Sequence, residues 1–111
     1  MIAMADLAQL LAKAQEAQAK LAELQQNLAA RRVEGTAGGG MVRAEVSGAL
    51  RVLAISIEPA LLASGDREML QDLTAAAVNA AIANAQRLMQ EEMQKASSAL
   101  GLPLAGGVKP A

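Results

Sequence analysis

Met41-Val-Arg-Ala-Glu-Val-Ser-Gly-Ala-Leu-Arg-Val-Leu-Ala-Ile-Ser-Ile-Glu-Pro59 decides the fold. Val42, Ala44 and Val46 alternate with Arg43, Glu45 and Ser47, the pattern of an antiparallel strand with one face buried. Gly48-Ala49 supplies a tight turn, and a second apolar run follows from Leu50 to Ile57. In that run Leu53, Ile55 and Ile57 form one face. Leu50, Val52 and Ala54 make the other face apolar too, so both faces require cover, one from a helix and one from a second subunit. Pro59 ends the strand because it has no N–H for the ladder, and it is suited to open a single helical turn over 59–63.

Upstream, Val33 to Ala37 reads as a short strand, and Gly38, Gly39 and Gly40 form the loop that leads into the strand at 41–47. These glycines have neither the Lys-Ser/Thr ending of a phosphate loop nor dinucleotide spacing, so they read as hairpin geometry. Residues 5–32 read as one helix without Gly or Pro. Its apolar residues repeat every seven: Leu7, Ala14, Leu21 and Leu28, with Leu10, Ala17 and Leu24 three residues after the first three. Such a seam calls for another helix, while Gln9, Glu16, Glu23 and Gln26 face away from it. Glu16 and Lys20 are spaced as an i,i+4 pair.

Downstream, Asp66 is placed to cap a last helix running to about Leu100. Between Leu73 and Gln86 this helix has no charge. It shows one apolar stripe through Val78, Ile82, Ala85 and Met89 and another through Leu70, Leu73, Ala77 and Ala81, so two neighbours are expected. Asn79 and Asn84 in this stretch read as register-fixing residues. Met69, Met89 and Met93 read as core filling and Glu91–Glu92 as a solvated face. A mobile tail is expected from residue 101. The fold class is α+β: a long helix, a three-stranded antiparallel meander (33–37, 41–47 and 50–57), a short turn and a long helix, in one domain over 1–111.

Composition narrows the function. The 111 residues contain no His, Cys, Trp, Tyr or Phe, which removes most side chains used for acid–base, nucleophilic and metal chemistry at neutral pH. No catalytic residue, metal site or cofactor is expected, and the protein is read as a non-enzyme. No apolar run is long enough to span a membrane and no signal-peptide pattern opens the chain, so a cytoplasmic protein is expected. A net charge of -1 provides no global attraction for polyanions. Of the apolar residues 27 are Ala, so the supply of large core side chains is small and burial against a second copy is favoured.

Three stretches carry a resemblance: Gly38-Gly-Gly-Met-Val-Arg-Ala-Glu-Val-Ser-Gly48, Ile55-Ser-Ile-Glu-Pro-Ala-Leu-Leu62 and Met69-Leu-Gln-Asp-Leu-Thr-Ala-Ala-Ala-Val-Asn-Ala-Ala81. In these the chain resembles the YbaB/EbfC family of bacterial nucleoid-associated proteins. The resemblance implies a tweezer-shaped homodimer in the nucleoid whose helix arms bind double-stranded DNA with little sequence preference. Lys13, Lys20 and Arg31 fall on one line of the first helix, with Arg32 beside its end. They read either as a rail for phosphates or as solvated charges flanking the seam. Only two lysines stand on this helix, so weak duplex affinity is expected. Leu50, Val52 and Ala54, together with Leu73, Ala77, Ala81 and Asn84, are the candidates for the dimer interface. The alternative is a dimeric adaptor or holdase gripping client proteins along its apolar seams.

Overall fold

The computed structural model describes residues 3–99. Its elements are α1 (Met4–Ala29), β1 (Arg32–Ala37), a 3-10 turn at Gly38–Gly40, β2 (Val42–Ser47), β3 (Val52–Ile57), α2 (Pro59–Ala63) and α3 (Arg67–Ala99). This is the expected α+β architecture. Leu100 and the tail from residue 101 lie outside the described residues. The molecule is elongated, 75 × 34 × 16 Å, with a radius of gyration of 20.9 Å against about 13 Å for a compact chain of this length.

The sheet has the order β1-β2-β3, antiparallel throughout. α3 lies across β1 and β2. Its approach is set by Gly35 of β1: a Cβ built there would overlap the Ala81 amide nitrogen and stand 2.7 Å from the Ala77 carbonyl oxygen. Glycine opposite alanine brings strand and helix backbones into contact. Asn84 then donates from Nδ2 to the Glu34 carbonyl at 3.0 Å, fixing the helix along the strand. The buried cluster comprises Val42, Ala44, Val46, Leu61, Ala77, Ala81 and Ala85. Four of the seven are alanines, so the core is as thin as the composition requires.

Several local signals act as the sequence indicates. Pro59 occupies the first turn of α2 and places Leu61 in the core. The Asp66 carboxylate accepts the Met69 N–H at 3.0 Å and caps α3. Gly38, Gly39 and Gly40 all adopt positive φ, which a side chain would resist.

Four expectations are corrected. α1 ends at Ala29 rather than about residue 32. The Arg31 N–H turns back to the Leu28 carbonyl, the Arg31 carbonyl accepts the Gly48 N–H, and Arg32 enters the sheet opposite Ser47. Sheet pairing overrides the helix preference of Ala29-Ala-Arg-Arg32. Secondly, Leu50 is not in a strand. It has φ 63° and completes a three-residue hairpin loop closed by the Ser47 N–H donating to the Arg51 carbonyl. The Ser47 hydroxyl accepts from the Ala49 and Arg51 N–H groups, and these bonds favour the turn despite its leucine.

Thirdly, a bulge between the β2 residues Glu45 and Val46 changes the faces of β3. Ile57 pairs with Val42, Ile55 with Ala44, and Val52, not Leu53, with Val46. Val52, Ile55 and Ile57 therefore share the inner face. Finally, no helix covers most of that face: Ile57 packs at the edge of the core beside α3, but Val52 and Ile55 remain exposed.

Candidate nucleic-acid interface

Burial along α1 divides it in two. Leu28 is buried and Ala17, Leu21 and Leu24 are half-buried, following the heptad spacing, whereas every residue from Met4 to Glu16 is exposed. At 1.5 Å per residue the exposed part is an arm about 20 Å long. Its root is tied to the hairpin at Gly48, where a Cβ would overlap the Leu28 carbonyl oxygen.

The structure places all four predicted DNA contacts in solvent, in different settings. Lys13 lies on the arm and pairs with no carboxylate among the described residues. Lys20 Nζ is 3.3 Å from Glu16 Oε1, the i,i+4 pair read from the sequence. Arg31 lies beyond the helix end, so the line through Lys13 and Lys20 does not continue to it as helical spacing supposed. Arg32 belongs to the outer face of the sheet, with Nη1 2.6 Å from Glu45 Oε1. There Glu34 stands directly opposite Glu45, an unfavourable pairing. Arg32 relieves it from one side and Arg43, 3.9 Å from Glu34, from the other.

Sequence reasoning missed Arg51. Arg32 pairs with Ser47 across β1 and β2, and the Ser47 N–H donates to the Arg51 carbonyl on the other side. Arg31, Arg32 and Arg51 thus gather around one end of β2, at the root of the arm. The Arg51 signal is a strand register, which adjacent residues do not display. Arg87 was also missed. Its Nη2 donates to Asn84 Oδ1 at 3.1 Å, on the helix flank beside β1.

The residues expected at a dimer interface separate into two groups. Ala77 and Ala81 are completely buried inside the chain against Gly35, Leu73 packs on the core beside Gly38, and Asn84 is bonded to β1. Alanines allow close approach of whichever backbone is nearest, and here it is the chain's own strand. Leu50, Val52 and Ala54 remain exposed. Beside them Ile57 and the α3 residues Leu70, Thr74, Ala75 and Val78 line an open apolar groove.

Residues 4–100 match the YbaB/EbfC DNA-binding family. The chain belongs to this family. Among its relatives is a nucleoid-associated protein of Desulfotalea psychrophila, 41% identical over 88% of this chain and 92% of that one. A nucleoid-associated protein of Chloroflexus aurantiacus is 43% identical over 91% of this chain and 93% of its own length. A crystal structure of an uncharacterized Helicobacter pylori protein shares the fold, with TM-score 0.64 and 19% identity, over 86% of this chain and 97% of that chain. Among the described residues no helix is long and apolar enough to cross a membrane.

Proposed function

We propose that the protein is a nucleoid-associated, non-enzymatic homodimer that grips duplex DNA with little sequence preference. Membership of a DNA-binding family is the observation that carries this reading. The exposed Lys13, Lys20, Arg31, Arg32 and Arg51 supply the contacts. Lys and Arg set against phosphates give affinity without base information. The chain has no aromatic residue for stacking, which favours duplex over single strands.

Dimerisation follows from the uncovered part of β3. Val52, Ile55 and Ile57 form an apolar strip continuous with the groove beside Val78, and a second copy covers both strips at once. Two arms then project from one body and double the number of cations. Within α1 itself Lys13 and Lys20 are outnumbered by Asp6, Glu16 and Glu23, so binding is weak and sensitive to salt. No observation favours the client-binding adaptor, and that reading is set aside.

A band-shift titration on mixed-sequence duplex at several salt concentrations tests the proposal. Five exposed cations per chain, with two of them in ion pairs, give six to ten phosphate contacts per dimer, and a slope of log K against log salt between about −5 and −9. Lys20→Ala combined with Arg31→Ala is expected to flatten it by about 2 to 4 units. Absence of a complex at low salt and micromolar protein would overturn the proposal.

A further inference from the structure

The exposed end of α1 has a surface that its own chain leaves uncovered. Met4 is 85% exposed, Leu10 59%, Leu11 57% and Leu7 43%. On a solvated arm this is a costly arrangement, since the remaining positions from Ala5 to Gln15 are Ala, Gln and two charges. Those charges are Asp6 and Lys13. They have opposite sign, stand at the same heptad position, and make no ion pair among the described residues, where the ion pairs are Lys20–Glu16, Arg32–Glu45, Arg43–Glu34 and Lys95–Glu92.

We propose that this tip pairs antiparallel with the tip of a second copy. In heptad terms Leu7 is an a position, Leu10 a d position, Asp6 and Lys13 are both g, and Met4 and Leu11 are both e. One antiparallel register satisfies all of them. It sets Leu7 against Leu10 of the second copy and Leu10 against Leu7, placing Met4 beside Leu11 on one flank. On the other flank Asp6 meets Lys13 of the second copy, and the two-fold axis repeats the pair. A parallel arrangement would instead set each g residue beside an e residue of the second copy, Asp6 beside Leu11 and Lys13 beside Gln18, and would form no ion pair. Charge complementarity therefore selects both the occupant and the direction.

The contact has four apolar residues per copy, well below the roughly 1,200–2,000 Å² of a stable interface. It is populated where local concentration is high, as along a duplex carrying many bound copies. Because it is separate from β3, it can alternate with a β3-mediated dimer and link dimers into a larger assembly. This outcome builds on the proposed dimer, but the tip contact itself does not require DNA.

The test is zero-length carbodiimide coupling, without DNA and at roughly millimolar protein to match the effective concentration of neighbouring copies, of an equal mixture of ¹⁵N-labelled and unlabelled protein. Asp6 and Lys13 of one helix are about 10 Å apart along its axis, too far for direct coupling, so an Asp6–Lys13 amide reports contact between copies. The expected product joins a labelled to an unlabelled peptide, disappears in Asp6→Lys and returns in Asp6→Lys/Lys13→Asp. It should fall at least five-fold in Leu10→Ser, an exposed site where misfolding is not expected, and persist in Ile55→Asp, which lacks the β3 strip. Absence of the mixed-isotope product overturns the pairing, and loss of it in Ile55→Asp overturns its role in linking dimers. Failure of the band shift alone leaves this result unchanged, so the two proposals fail separately.

Discussion

Replacing Gly35 with Ala should unfold the contact on which the sheet and α3 depend. A Cβ at this position stands 2.6 Å from the Ala81 Cα and 2.7 Å from the Ala77 carbonyl oxygen, all backbone atoms that cannot rotate away. Ordinary contact begins near 3.4 Å, so α3 must retreat from β1 by about 1 Å. A gap of that size forfeits a quarter to a half of the dispersion attraction across the interface. It also strains the Asn84–Glu34 bond, worth about 1 kcal/mol. Overpacking commonly costs 1–3 kcal/mol, and with an immovable neighbour the upper figure applies. Restricting the unfolded chain returns only about 0.4–1 kcal/mol.

The expected net loss is therefore about 3 kcal/mol, or a fall in Tm of roughly 10–25 °C. With no aromatic residue to fluoresce, unfolding is followed by far-UV circular dichroism at one fixed chain concentration, because self-association would shift the midpoint. Gly39→Ala is the comparison: nothing lies within 4 Å of its Cβ and φ is 68°, so only the left-handed backbone is penalised, by about 1 kcal/mol. A Gly35→Ala loss no larger than that of Gly39→Ala would refute the direct helix–strand contact.

Other substitutions probe separate links. Asp66→Ala removes the cap bond to Met69 and should cost about 1 kcal/mol in a urea melt. Asn84→Ala should lower stability by about 1 kcal/mol while leaving the sedimentation mass unchanged, since its bond lies within the chain; dissociation would instead place Asn84 at a subunit boundary. Ile55→Asp adds a charge to the exposed β3 strip and should shift sedimentation equilibrium at least ten-fold toward monomer without loss of helical ellipticity. An unchanged mass would move the dimer interface away from β3.

The features legible in the amino acids alone are local: strand alternation in Val42–Ser47, the Pro59 and Asp66 helix starts, the glycine turn and the heptad of α1. Each is a preference carried by residues within a few positions of one another, so it is legible without partners. Even the cations of the arm were visible in this way, as side chains on a helix surface. Long-range packing set the rest. It shortened α1 at Ala29 because pairing of Arg32 with Ser47 outweighed helix propensity, and it brought Arg51 beside Arg31 and Arg32 through a register set by the hairpin. It also turned Val52 inward through a bulge and spent Ala77 and Ala81 on Gly35 rather than on another subunit. Small apolar side chains specify close approach but not to what, and that choice depends on strands some forty residues away in the chain.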